Sequence, residues 1–229
     1  MLVETMTPEE ITREIFTDWE TLAEKTLPRL AQEYDRARKR LKVNKESRFA
    51  KMYEIKTKKK NNWFLVLNKG VDVEKYRTWR DIDLTKLVYY YTKRGIRVFE
   101  IIGDDDKLAV YNAHLFSRYR ERMKLDIPNP YDVVKYFFLN DSYAVINDFD
   151  EAFSPRKNGI VLGTYLKEMG WIMCNTFITN EMKFSDQNEI EKQLIEIWEE
   201  ESNIEFLLNG NSSYYKAIRG AIIELKKEK

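Results

Sequence analysis

The strongest constraint in this chain is residues 84–102, where two runs of strand-forming residues, LTKLVYYYT and IRVFEII, stand on either side of Lys93, Arg94 and Gly95. β-Branched and aromatic side chains at this density suit a pleated, half-buried surface, and glycine supplies the positive φ that a tight hairpin requires. Residues 62–68, NWFLVLN, and 107–111, KLAVY, extend the same pattern, and residues 159–166 and 171–179 predict a second hairpin about 167–170. In WIMCNTFIT strict alternation places Trp171, Met173, Asn175, Phe177 and Thr179 on one face and Ile172, Cys174, Thr176 and Ile178 on the other. Asn175 and Thr179 are then the polar pair expected to meet a ligand across the sheet.

Helices are expected around this sheet. Thr7, Pro8 and Glu10 form a helix start, with the hydroxyl and the carboxylate in capping-box positions and proline in the first turn. Ile11, Ile15, Trp19 and Leu22 recur at helical spacing, predicting about 18 residues of helix that Pro28 ends or renews. Residues 108–124 read as the end of a strand running into a short helix that carries His114, and residues 131–139 predict another, turning Val133, Val134, Phe137 and Phe138 inward. Residues 69–83 read as a loop or edge excursion, 103–106 as a turn, 142–146 as a short strand and 147–158 as a mobile polar loop. An acidic helix is expected over 187–208 and another after Ser212. The order implies an α+β protein: an antiparallel sheet, meander plus hairpin, interrupted by two short helices and flanked by N-terminal and C-terminal helices. Residues 1–60, 61–180 and 181–229 are the expected N-terminal helical, central and C-terminal helical regions.

The single cysteine, Cys174, rules out an internal disulfide framework and suits a reducing compartment, so a cytoplasmic location is expected. With one histidine as well, no metal site is expected, since zinc wants three or four nitrogen or sulfur ligands. Neither a P-loop, nor a G-x-G-x-x-G turn, nor a G-x-S-x-G elbow occurs, so no nucleotide cofactor or serine-hydrolase chemistry is expected. No apolar run reaches membrane-spanning length, and the first ten residues lack the pattern of a signal peptide. Net charge is only +1, but its distribution is uneven. Residues 29–60 hold 13 Lys or Arg against 4 Asp or Glu, and residues 181–205 hold 9 acidic against 2 basic. A basic surface of this kind can track a phosphate backbone, meet an acidic partner, or face the chain's own acidic segment.

Chemistry-bearing residues concentrate at one place. His114, the only histidine, is followed at helical intervals of four by Arg118 and Arg122, so one titratable ring and two permanent cations share a helix face. Guanidinium groups bind phosphate in a two-pronged fashion, and histidine is the residue type suited to proton transfer near neutrality. Tyr119 could stack a base or enter the core, and Arg118, Glu121 and Arg122 could equally form a solvated face.

The run from His114 to Arg122, the helix after Asn129 and the strand ending in Thr176, Phe177, Ile178 and Thr179 resemble the H-x-x-x-R-x-x-E-R helix and following sheet of small toxin-like domains. Those domains are grouped by shape with the barnase, colicin and RelE ribonucleases. The resemblance covers about residues 108–180 and implies metal-independent cleavage of RNA. His114 would transfer a proton, acid and base duty being shared among His114, Glu121, a tyrosine or water; Arg118 and Arg122 would stabilise phosphate charge, and Asn175 or Thr179 would position the substrate. The rival expectation is a non-enzymatic binding or scaffold protein whose basic N-terminal surface contacts nucleic acid or an acidic partner.

Overall fold

The structure is a computed structural model in which residues 1–44, 49–69, 83–102, 107–140, 146–148, 151–156 and 158–182 are described. Helix α1 spans Pro8–Asn44. The Glu10 amide donates to Thr7 Oγ1 at 3.3 Å and the Thr7 amide to Glu10 Oε2 at 2.9 Å, which is the capping box the sequence implies. Pro28 lies inside this helix and does not end it, contrary to the sequence reading. Proline removes one donor and crowds the preceding turn, yet Leu22 and Leu30, on either side of it, are both buried in one cluster with the sheet. Burial of the shared stripe keeps the helix continuous.

Strands β1 Phe49–Lys56, β2 Asn62–Lys69, β3 Asp83–Thr92, β4 Gly95–Ile102 and β5 Lys107–Tyr111 form an antiparallel meander. Helices α2 Ala113–Arg122 and α3 Pro130–Asn140 follow. The chain then reaches the far edge at β6 Ile146–Asp148 and returns through β7 Glu151–Arg156, β8 Gly159–Leu166 and β9 Trp171–Thr179. These nine strands make one sheet in the order β1-β2-β3-β4-β5-β9-β8-β7-β6. β5 and β9 pair in parallel and every other pairing is antiparallel, so two meanders meet at the middle of the sheet. The α+β class stands.

Three local departures from the sequence reading have physical causes. β1 falls within the stretch assigned to the N-terminal helical region, and its charges are matched across layers: Lys51 donates to Glu33 of α1 at 3.0 Å, and Lys135 of α3 donates to Glu54 at 2.6 Å. The expected mobile loop over 147–158 is largely strand, with Arg156 only 3% exposed. In β9 the register skips a residue, Leu162 pairing with Thr176 and Gly163 with Cys174, so Asn175 is a bulge. Phe177 therefore joins Ile172 and Cys174 in the core on the α2–α3 side instead of sharing a face with Trp171. Gly163 permits the bulge, because a Cβ there would sit 2.4 Å from the Met173 carbonyl oxygen. The 69–83 loop with Trp79, the 103–106 turn and the C-terminal helices lie largely or wholly outside the described residues.

The sheet separates two apolar clusters. Trp63, Leu65, Val88, Phe99, Leu108, Val110 and Trp171 pack beneath α1, while Phe64, Leu87, Val98, Ala109, Tyr111 and Cys174 pack beneath α2 and α3. Strand alternation delivers successive residues to opposite sides. This layering places the amino end of α2 beside the β3–β4 turn, where Gly95, at φ +118°, would bring a Cβ within 2.9 Å of Ala113 Cβ. No helix among the described residues is long and apolar enough to cross a membrane.

Candidate functional site

His114 sits in the first turn of α2 and is exposed. The two arginines that follow it do not converge with it on one recess. Arg118 donates to Glu121 at 3.0 Å, an ion pair on the solvent side of the helix. Arg122 reaches across to β9, donating to the Phe177 carbonyl and, at 3.3 Å, to Thr176 Oγ1, just beyond the bulge. The helical spacing predicted from the sequence is present, but Arg122 serves the strand. Tyr119 is fully buried, edge-on to Phe137 and Phe177 at 4.9 Å each, and so stands in the core with no face open to a ligand. Asn175 is exposed and donates to Thr164 Oγ1 at 3.1 Å, and Thr179 ends β9 opposite Gly159. Neither lines the space around His114.

His114 instead lines a cleft of about 690 Å³ with Arg94, Arg97, Thr92, Ser117 and Glu4. Arg94 comes from the β3–β4 turn and Arg97 from β4. Arg97 Nε donates to Asn112 Oδ1 at 3.0 Å and its Nη1 donates to Tyr90 Oη at 3.3 Å, which fixes the guanidinium at the cleft wall. Because Asn112 spends its carbonyl on Arg97, it makes no side-chain cap for α2. First-turn amides have no intrahelical acceptor, and this helix has no acidic residue in that turn. The positive end of the helix dipole therefore adds to the two guanidiniums. Among the described residues Glu4 is the single carboxylate of the lining, and its Oε2 accepts from the Lys93 amide at 3.3 Å.

Sequence reading missed Arg94, Arg97, Ser117 and Glu4. A signal was present: Arg97 and Glu100 are the only charged residues in an otherwise apolar strand, and a charge at such a position needs a partner or a function.

A second polar cluster lies inside the molecule. Tyr111 donates to Glu100 Oε2 at 2.5 Å, Arg156 Nη2 donates to Tyr111 Oη at 3.3 Å, and the Arg156 guanidinium lies 4.7 Å from the centre of the Phe137 ring. Burial pushes the Glu100 carboxyl up, against the pull of the Tyr111 hydroxyl, Arg156 and Lys86. Burial, reinforced by the Glu100 charge, pushes the Tyr111 hydroxyl far up as well. Cys174 is pushed up to about 12, mainly by burial, so it is a thiol and not a thiolate at neutral pH. These groups tie β4, β5 and β7 together.

Part of the N-terminal basic surface is neutralised. Lys51 and Arg36 pair with Glu33, and Lys59 donates to Glu14 at 3.2 Å. Among the described residues no group of three His, Cys, Asp or Glu could hold a metal ion. Comparison with protein-family models, curated proteins and solved structures returns no match.

Proposed function

We propose that the protein binds a phosphate-bearing ligand in the cleft at the amino end of α2. The observation that supports this reading is the meeting of Arg94, Arg97 and His114, from three separate elements, around a first helical turn that has neither a side-chain cap nor an acid. Backbone amides and the helix dipole favour an anion at such a terminus, and the guanidiniums add charge-assisted hydrogen bonds. Arg97 is preorganised by Asn112 and Tyr90, so its contribution costs little ordering on binding. Titration of the full chain with inorganic pyrophosphate in a calorimeter tests the proposal. Arg94→Glu, at an exposed turn position, should weaken binding at least tenfold, and Glu4→Gln should strengthen it a few-fold. Equal affinity of wild type and folded Arg94→Glu rejects the reading.

A second reading, RNA cleavage without metal, is favoured by one observation: the imidazole of His114 and the carboxylate of Glu4 line the same cleft. Attack of a ribose 2′-oxygen on the adjacent phosphorus breaks the bond to the 5′-oxygen and leaves a 2′,3′-cyclic phosphate. Glu4 would accept the 2′-hydroxyl proton and His114 would donate one to the departing 5′-oxygen. A positioned acid or base contributes about 10² to 10⁴ in rate, so His114→Ala should remove most cleavage of a short RNA. Failure of the wild type to cleave refutes this reading and leaves the binding proposal standing.

A further inference from the structure

Next to the cationic cleft lies a recess of about 210 Å³ with a different character. Its walls are Ile96, Phe116, Val133, Val134 and Pro130, and among the described residues only Arg94, Arg120 and Ser117 bring polar side chains to it. The two spaces share Arg94, Ala113 and Ser117, so one ligand can occupy both. Ala113 and the β3–β4 turn, held in contact through Gly95, form the saddle between them. The cleft offers cations and amide donors, and the recess offers an apolar slot between two helices and a strand.

We propose that the pair of spaces is a nucleotide site, with the phosphate in the cleft and the nucleobase in the recess. This rests on the phosphate-binding reading above and adds the class of ligand. A flat, largely apolar ring with polar edges fits a slot walled by aliphatic and aromatic groups, and ligand sites characteristically combine such walls with a few fixed polar groups. Arg120 occupies the rim of the slot, where it donates to the Pro128 carbonyl at 3.4 Å and presents a guanidinium able to meet a base edge or face. A simple inorganic anion would leave the recess unused. A nucleoside without phosphate would leave the cations of the cleft unmatched.

The test compares four probes on the full chain: inorganic pyrophosphate, ribose 5-phosphate, adenosine 5′-monophosphate and adenosine, with amide shifts followed by NMR. Stacking a base on protein side chains strengthens binding by roughly tenfold or more, so the nucleotide should bind at least tenfold tighter than ribose 5-phosphate. Pyrophosphate should shift the amides of Ala113 and His114 and leave those of Ile96 and Val134 unmoved, whereas the nucleotide should shift all four. Pro130→Trp, at an exposed position that lines only the recess, should cover the slot and erase the advantage of the nucleotide while pyrophosphate affinity is kept. Equal affinity of nucleotide and ribose 5-phosphate in the wild type overturns the nucleotide site and leaves the phosphate cleft intact. Absence of binding by every phosphorylated probe overturns both. A 5′-phosphorylated trinucleotide then separates the sources: tighter binding than the mononucleotide assigns the site to an RNA strand, and weaker binding assigns it to the free nucleotide.

Discussion

Beneath α1 the sheet meets a stripe led by Ile11, Ile15, Leu22 and Leu30, and several polar bonds pin the helix, the most buried of them at a carboxylate. Asp18 Oδ2 accepts from Trp63 Nε1 at 2.8 Å, from Asn61 Nδ2 at 2.9 Å and from Thr57 Oγ1 at 2.9 Å. Beneath α2 and α3 the same sheet meets interlocked rings. Phe137 alone stands within 6.0 Å, centre to centre, of Tyr111, Phe116, Tyr119 and Phe138, and also faces Arg156. One face is closed by a single long helix whose position depends on directional polar bonds, the other by two short helices held through ring packing. The candidate site belongs to the second face and to the turn at its end, so its geometry should follow the ring cluster more closely than it follows α1.

The largest effect is expected from Phe137→Ala. Loss of a fully buried ring typically costs about 3–5 kcal/mol, and here the cavity also strips the cover from Arg156. Denaturant unfolding should show that loss, and the residual folded protein should bind pyrophosphate more weakly because α2 has lost its support. A cost under about 1 kcal/mol would mean that the rings are not the closure of that face.

Next in size is Asp18→Ala. Removing the shared acceptor orphans the buried Trp63 Nε1, strips Asn61 Nδ2 of one of its two acceptors, Glu14 being the other, and frees the half-buried Thr57 hydroxyl; at about 1–3 kcal/mol for each buried group that finds no new partner, a loss of about 2–3 kcal/mol is expected. Pyrophosphate binding by the folded fraction should be unchanged, since Asp18 lies at the β1–β2 end of the sheet and not at the cleft. A variant that loses binding and keeps its stability would invert the comparison between the faces.

How much of this was legible follows the same division. The hairpin about Gly95, the second hairpin, the capping box at Thr7 and Glu10, and the inward residues of α3 were readable, because each rests on neighbours in the chain. β1 was hidden because Lys51, Glu54 and Lys56 look like solvent residues until Glu33 and Lys135 are placed beside the first two. β7 was hidden by Pro155, which is tolerated where β6 covers only residues 151–153 of it. The alternation of β9 failed at Asn175, since one extra residue exchanges the faces of all that follow. His114 stood out by its rarity, and Arg97 by its charge in an apolar strand, but nothing in the chain joined them, because Arg94 and Arg97 reach the space beside His114 only once β4 and α2 lie side by side. Spacing of four on one helix pointed to Arg118 and Arg122, whereas tertiary partners, Glu121 and β9, decide what those groups do.

The smallest expected effect separates two carboxylates on the ring-packed side of the sheet. Glu54 at the edge is held below the usual carboxylate range by hydrogen bonds from Lys135 and Tyr131, which outweigh its partial burial. Glu100 in the middle is pushed above that range by burial, which outweighs the Tyr111 hydroxyl, Arg156 and Lys86. The signs of the linkage are opposite. The depressed group stabilises the fold above the ordinary carboxylate pKa of about 4.3, and that stability is lost as pH falls through its lower folded value. The raised group favours the fold in its neutral form, so its contribution is complete below about 4.3 and is lost as pH rises through its higher folded value. Glu54→Gln should therefore lower stability at pH 7 by under about 1 kcal/mol, with the difference closing toward pH 3. Glu100→Gln keeps an acceptor for Tyr111 but carries no charge, and should gain on the wild type as pH rises from 4 to 7. Thermal unfolding of both variants across that range reads the two slopes, and slopes of the same sign would show that edge and centre of this face do not differ in how they hold charge.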